Sequence, residues 1–249
     1  MSTNKKMENW RDIGKSLEEL LRLQTYPLAV KLVKDESEFP EGTRRPEQKI
    51  AVCQGLTLSR RTGSTMGITE KDSGCPAASL NYGWIKIFDE SMMQKEFLEA
   101  GHVSNEAAAK TLLENMDHLK PGKYKGVVIS PLTRTKIAPD VILVYGNPAQ
   151  IMRLIQGATY KEGKKLKIEM LGLAGSCTGG IIRAFNTGEC QVAILGAGDR
   201  AFALSHDNEM LFAIPAAKAE EIVSGMKGQR FVKYPVPTAL AMPPPFPGL

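Results

Sequence analysis

The sequence has no long apolar run, no CxxC pair, no Walker motif and few aromatic residues. Each absence narrows the field. The longest apolar stretches, such as residues 138–145 and 192–198, fall far short of the roughly 20 residues a membrane helix needs. Residues 1–22 are polar and charged and lack the apolar centre and cleavage site of a signal peptide. A cytoplasmic protein is therefore expected, and its four cysteines are not presumed to pair as disulfides. Aromatics make up only 6% of the chain, so packing must rest on Leu, Ile, Val, Ala and Met. Without CxxC spacing there is no compact zinc or ferredoxin signature. Without a third glycine, Gly196-Ala-Gly-Asp-Arg200 is not a dinucleotide loop. No GxSxG elbow exists for Ser-His-Asp chemistry. Asp207 and Glu209 offer little support for a paired-carboxylate mechanism. The three histidines, His102, His118 and His206, read as surface or loop residues.

What is present is an ordinary globular composition. The 249 residues are 43% hydrophobic and 24% charged, with a net charge of +5. The basic residues are scattered apart from Lys161, Lys164, Lys165 and Lys167, which read as a solvated turn. No aromatic interleaving or nucleic-acid module accompanies them, so neither a nucleic acid nor a membrane is expected as partner.

Apolar spacing predicts a first helix from Trp10 to Leu23, ended before Tyr26-Pro27. Strands are predicted at residues 27–33, 64–69, 126–130, 141–145, 166–171, 190–195 and 209–214, with those at 126–130 and 141–145 as neighbours. Helices are predicted at 50–61, 149–156, 181–185 and 216–226, with one or two more between 90 and 119. Residues 1–233 are expected to form one domain. The tail 234–249 holds six of the fifteen prolines and should be extended, making a homodimer reasonable. The irregular alternation of helices and strands favours an α+β fold with a mixed, largely antiparallel sheet and flanking helices.

The two halves, about 26–85 and 140–215, look alike. Cys53-x-Gly55, a helix, Thr62-Gly63 and a strand form one unit. Cys177-x-Gly179, a helix, Thr187-Gly188 and a strand form the other. An internal duplication is expected, with Cys53 and Cys177 in equivalent places.

Cys53, Cys75 and Cys177 each fall where a helix begins. Free N–H groups and the helix dipole favour a thiolate there, which is both nucleophile and metal ligand. Cys190 opens a strand and reads as a small buried hydrophobe. The loop Ser176-Cys-Thr-Gly-Gly180 could cradle an anion, with Gly179 and Gly180 at its centre and Arg200 as a second anchor. Asp199 and Arg200 are expected to contact each other locally.

Several segments together resemble the uncharacterised ArCR family, domain of unknown function 169. They are Pro27-Leu-Ala-Val-Lys31, Cys53-Gln-Gly-Leu with Arg60-Arg-Thr-Gly63, and Gly74-Cys75-Pro76-Ala77-Ala78. In the second half they are Gly175-Ser-Cys177, Gly196-Ala-Gly-Asp-Arg200 and Asn208-Glu-Met-Leu-Phe-Ala-Ile-Pro215. The resemblance implies anaerobic metabolism and groups Cys53, Cys75 and Cys177 apart from Cys190. Three readings stay open. The three cysteines could hold an iron–sulfur cluster, with Cys190 a conceivable fourth ligand, for redox or cluster-assisted chemistry on a small anion. The chain could instead be a non-catalytic anion-binding or regulatory module with structural cysteines. One activated cysteine could also carry sulfur or acyl transfer.

Overall fold

Leu28–Val33 (β1), Gly126–Pro131 (β3) and Val141–Gly146 (β4) are nearly unbroken apolar runs, and such runs become strands covered on both faces. In the computed structural model, which describes residues 3–85 and 90–229, they lie at the centre of one six-stranded sheet. Met66–Thr69 (β2), Gln191–Ile194 (β5) and Met210–Pro215 (β6) complete it in the order β2–β3–β1–β4–β6–β5. Every neighbouring pair is antiparallel. The fold is α+β, as the mixture of elements suggested. The expected adjacency of β3 and β4 is corrected, because β1 lies between them and pairs with both.

Side chains alternate across the sheet and divide the interior in two. One face, with Leu28, Val30, Val141, Leu143 and Leu211, packs against Val52–Thr62 (α2), Pro76–Asn81 (α3) and the segment Gly175–Ile182 that runs into Arg183–Thr187 (α7). The other, with Ala29, Ile142, Val144 and Phe212, packs against Thr3–Leu21 (α1), Pro148–Thr159 (α6) and Ala219–Gly228 (α9). Glu90–Glu99 (α4) and Glu106–Glu114 (α5) form a satellite around Met93, Phe97, Leu113 and Met116, reaching the body through Leu80.

Local chemistry sets the helix ends. Asn147 accepts from the Gln150 amide at 3.0 Å, Gln150 accepts from the Asn147 amide at 2.8 Å, and Pro148 takes the first helical position of α6. Gly63 and Gly188 adopt left-handed φ of 77° and 68° and stop α2 and α7. The strand expected at 166–171 is absent. Leu166 and Ile168 do pack on the second face, but the segment is irregular and makes no ladder with any described strand. The proline-rich tail lies outside the described residues.

The sheet order is palindromic, and so are its registers. Leu28 faces Pro131 and Leu143, while Val141 faces Pro215 and Val30. Met66 faces Ile129 as Gln191 faces Ala213. Each outer pair then leads from a proline, Pro131 or Pro215, into one short turn of 3-10 helix. This is the geometry two related halves would have. Aligned on Gly63 and Gly188, Gly55 matches Gly180, but Cys177 stands one residue further back than Cys53. The segment Gly175–Ile182 is π-helical, a geometry that absorbs one added residue.

Candidate functional site

Cys53, Cys75 and Cys177 come from three elements that all pack on the first face of the sheet. Cys53 lies in the first turn of α2, Cys75 caps α3, and Cys177 lies in the π-helical segment. Cys53 Sγ approaches the Gly198 carbonyl at 3.9 Å. Cys75 Sγ accepts from the Ala78 amide at 3.5 Å. Cys177 Sγ lies 3.7 Å from Thr178 Oγ1. Cys190 packs on the opposite face among the residues covered by α6 and α9. The sheet therefore separates it from the other three, and a fourth-ligand role for it is corrected.

The three thiols are near enough to feel one another's charge, and none is activated. Burial pushes Cys53 up to about 12, assisted by the charges of Asp199 and Cys75. Burial also raises Cys177, with Asp199, Cys53 and Cys75 adding to it. Burial raises Cys75 too, although the amides of Ala78 and Ala77 oppose it. The helix starts were expected to lower these values. Desolvation outweighs the amide contribution because the sulfurs lie inside the core rather than at open helix tips.

The anion cradle is occupied from within. Asp199, in the short helix Ala197–Ala201 (α8), is 3% exposed and turns towards the start of the π-helical segment. It accepts from the Ser176 hydroxyl, from the Ser176 amide at 3.3 Å and from the Gly196 amide at 3.0 Å. Arg200 points the other way, donating to the His206 carbonyl at 2.8 Å and pairing with Asp207 at 3.6 Å. The expected Asp199–Arg200 contact is thus replaced by two separate sets of partners. Gly180 is buried against Leu211, whereas Gly179 lines a surface cleft. The structure does not bring Gly179, Gly180 and Arg200 together as one ligand set.

Around the thiols stands a buried polar shell that the sequence did not disclose. Tyr82, without exposed surface, directs its hydroxyl at the Cys177 carbonyl, 3.4 Å away. Asn81 donates to Thr178 Oγ1 at 3.0 Å. Arg60, also without exposed surface, binds Glu209 through both terminal nitrogens at 2.5 and 2.9 Å and lies 4.1 Å over the Tyr145 ring. Their separation along the chain leaves no local signal. The only hint was that Arg60 sits on the inward face of a helix.

Among the described residues, no group of three or more His, Cys, Asp or Glu side chains is gathered tightly enough to hold a metal ion. A single zinc draws its sulfurs to about 2.3 Å from one point. A multinuclear cluster spreads its thiolates over several metal atoms, so its ligands stand further apart. Among the described residues, no helix is long and apolar enough to cross a membrane.

Comparison with known proteins gives a family and no activity. The chain is 25% identical over 223 residues to uncharacterized protein MJ0308 of Methanocaldococcus jannaschii, covering 89% of this chain and 95% of that protein. No solved structure matches. The profile of the uncharacterised ArCR family, domain of unknown function 169, matches residues 16–225, and the chain belongs to that family.

Proposed function

We propose that this is an iron–sulfur protein in which Cys53, Cys75 and Cys177 hold a multinuclear cluster, leaving one iron open for redox or cluster-assisted chemistry on a small anionic ligand. The observation behind this reading is that three thiols from three separate elements lie on one face of the sheet, near enough to influence one another's charge and flanked by Asp199. Such a setting is a poor home for free thiolates. Asp199 adds negative charge, and the buried Arg60 on this face is paired with Glu209. A bound metal centre reverses this logic, since its positive charge deprotonates the ligating thiols. Cys75 is half-buried while Cys53 and Cys177 are buried, so it marks the solvent side of the pocket.

A second reading is favoured by one observation. All four thiols are shielded and pushed upwards, as purely structural cysteines would be. In that case the chain is a ligand-binding or regulatory module. Sulfur or acyl transfer would fall to Cys75, the most accessible of the four. A cytoplasmic location, anaerobic metabolism, a small-molecule ligand and a homodimer belong to the same proposal.

The test is anaerobic purification followed by measurement of iron and acid-labile sulfide per chain. The cluster reading expects both in stoichiometric amounts, lost in Cys53→Ser, Cys75→Ser and Cys177→Ser and retained in Cys190→Ser. Negligible iron after reconstitution, with all four variants folding like the parent, would reject it in favour of structural thiols.

A further inference from the structure

A cleft of about 280 Å³ opens beside the thiol pocket, on the outer side of the π-helical segment. Thr178 and Gly179 form its inner wall, and Thr178 is the residue next to Cys177. Behind this wall lies Asn81, fully buried. Its Nδ2 reaches two cleft residues, Thr178 Oγ1 at 3.0 Å and Met116 Sδ at 3.7 Å. Its Oδ1 has no hydrogen-bond partner. This buried amide braces the inner wall of the cleft from behind through its donor nitrogen.

The polar end of the cleft is Arg183. One terminal nitrogen binds Asp117 at 3.2 Å, and the other binds Glu169. Its Nε is buried and has no acceptor. The two acids differ in character. Asp117 is 21% exposed, whereas Glu169 is 75% exposed and projects from the irregular strap before Gly175. An exposed ion pair of this kind contributes little and is readily exchanged. Glu169 uses one edge position of a guanidinium built to take a carboxylate through two parallel bonds. Met116, Leu173 and Ile194 are among the apolar residues of the wall.

We propose that this cleft binds a small aliphatic carboxylate. Its carboxylate replaces Glu169 on Arg183, and its short apolar body lies against Met116, Leu173 and Ile194. The exchange leaves the charge count of the cleft unchanged, because one carboxylate leaves as another arrives. An ammonium ligand would instead compete for acids already bound to Arg183. The ligand then sits one residue from Cys177. The inference rests on the proposed cluster only for what happens to the bound molecule, since binding itself needs no iron.

The test is calorimetric titration of butyrate, with butylamine as counter-probe, into the protein both as purified anaerobically and after iron removal. Saturable butyrate binding is expected in both forms, with butylamine inert. Glu169→Gln, an exposed change, removes the internal competitor and should tighten butyrate roughly two- to fivefold. Arg183→Lys, which keeps the charge but loses the fork, should weaken it about tenfold or more. A melting curve shows whether that variant is folded, and Glu169→Gln carries the test if it is not. Absence of saturable butyrate binding, weaker binding in Glu169→Gln, or preference for butylamine would each overturn the inference. Butyrate binding to protein that never takes up iron would leave the cleft standing and remove the cluster.

Discussion

Arg60 has no exposed surface, and a guanidinium in that setting is tolerable only with its charge answered. Glu209 answers it through two oxygens. Burial alone would raise the Glu209 carboxyl, but the hydrogen bonds from Arg60 and from the His206 amide, with the charge of Arg60, bring it below the ordinary carboxylate value. A depressed folded value means the contribution is complete above the unfolded value near 4.3 and is lost as pH falls through the folded one. Glu209→Gln leaves a buried charge uncompensated and should cost about 3–5 kcal/mol in urea unfolding at pH 7. The difference from the parent should shrink below pH 4. An unchanged difference across that range would show that the pair is not titrating.

The thiols run in the opposite sense. Cys53 and Cys190 are both raised to about 12. Their neutral forms support the fold fully below the unfolded value of about 8.5, and that support is lost as pH rises towards 12. Metal-free protein should therefore lose melting temperature above about pH 9, and Cys190→Ala should flatten that slope. Thiol labelling of the native metal-free protein at pH 8 should reach Cys75 well before the others. Equally fast labelling of Cys53 and Cys177 would mean the pocket is open.

At the scale of elements, glycines set how closely the pieces approach. A Cβ on Gly175 would lie 2.3 Å from the Ile194 carbonyl oxygen, and one on Gly225 would lie 2.3 Å from the Gly157 carbonyl oxygen, where α6 and α9 cross. Neither backbone atom can yield without shifting its element. Gly225→Ala should cost about 1–3 kcal/mol by overpacking, measured by denaturant unfolding. A Cβ on Gly188 meets open space, so Gly188→Ala should cost only the left-handed strain of about 1–2 kcal/mol. Much of this level was readable in advance. Asn147-Pro148, Thr62-Gly63 and Thr187-Gly188 announce their helix ends by local chemistry alone. Residues 166–171 misled because alternation reports one-sided burial, which an irregular strap packed on the sheet can share with a strand. Gly196–Arg200 reads as a tight turn with a local Asp199–Arg200 contact, yet it forms a short helix whose Asp199 turns inward to Ser176.

At the scale of the molecule, the sequence carries the class of fold but not the order of its strands. β1 reaches its place between β3 and β4 through pairings distant in the chain, and no local pattern records them. The same limit applied to the site. Helix-start positions singled out Cys53, Cys75 and Cys177, but their depth, and with it the direction of their titration, comes from the layers packed over them. Asp199, Asn81, Tyr82 and Arg60 join the pocket only through tertiary contact. The family relationship spans residues 16–225, so it covers both sheet halves and every residue of the pocket.

The most direct measurement is anomalous diffraction at the iron edge from crystals grown without oxygen. The account expects one compact iron peak on the α2 side of the sheet, bounded by the sulfurs of Cys53, Cys75 and Cys177. Iron bound elsewhere, or an iron-free pocket in protein reconstituted with iron and sulfide, would contradict it.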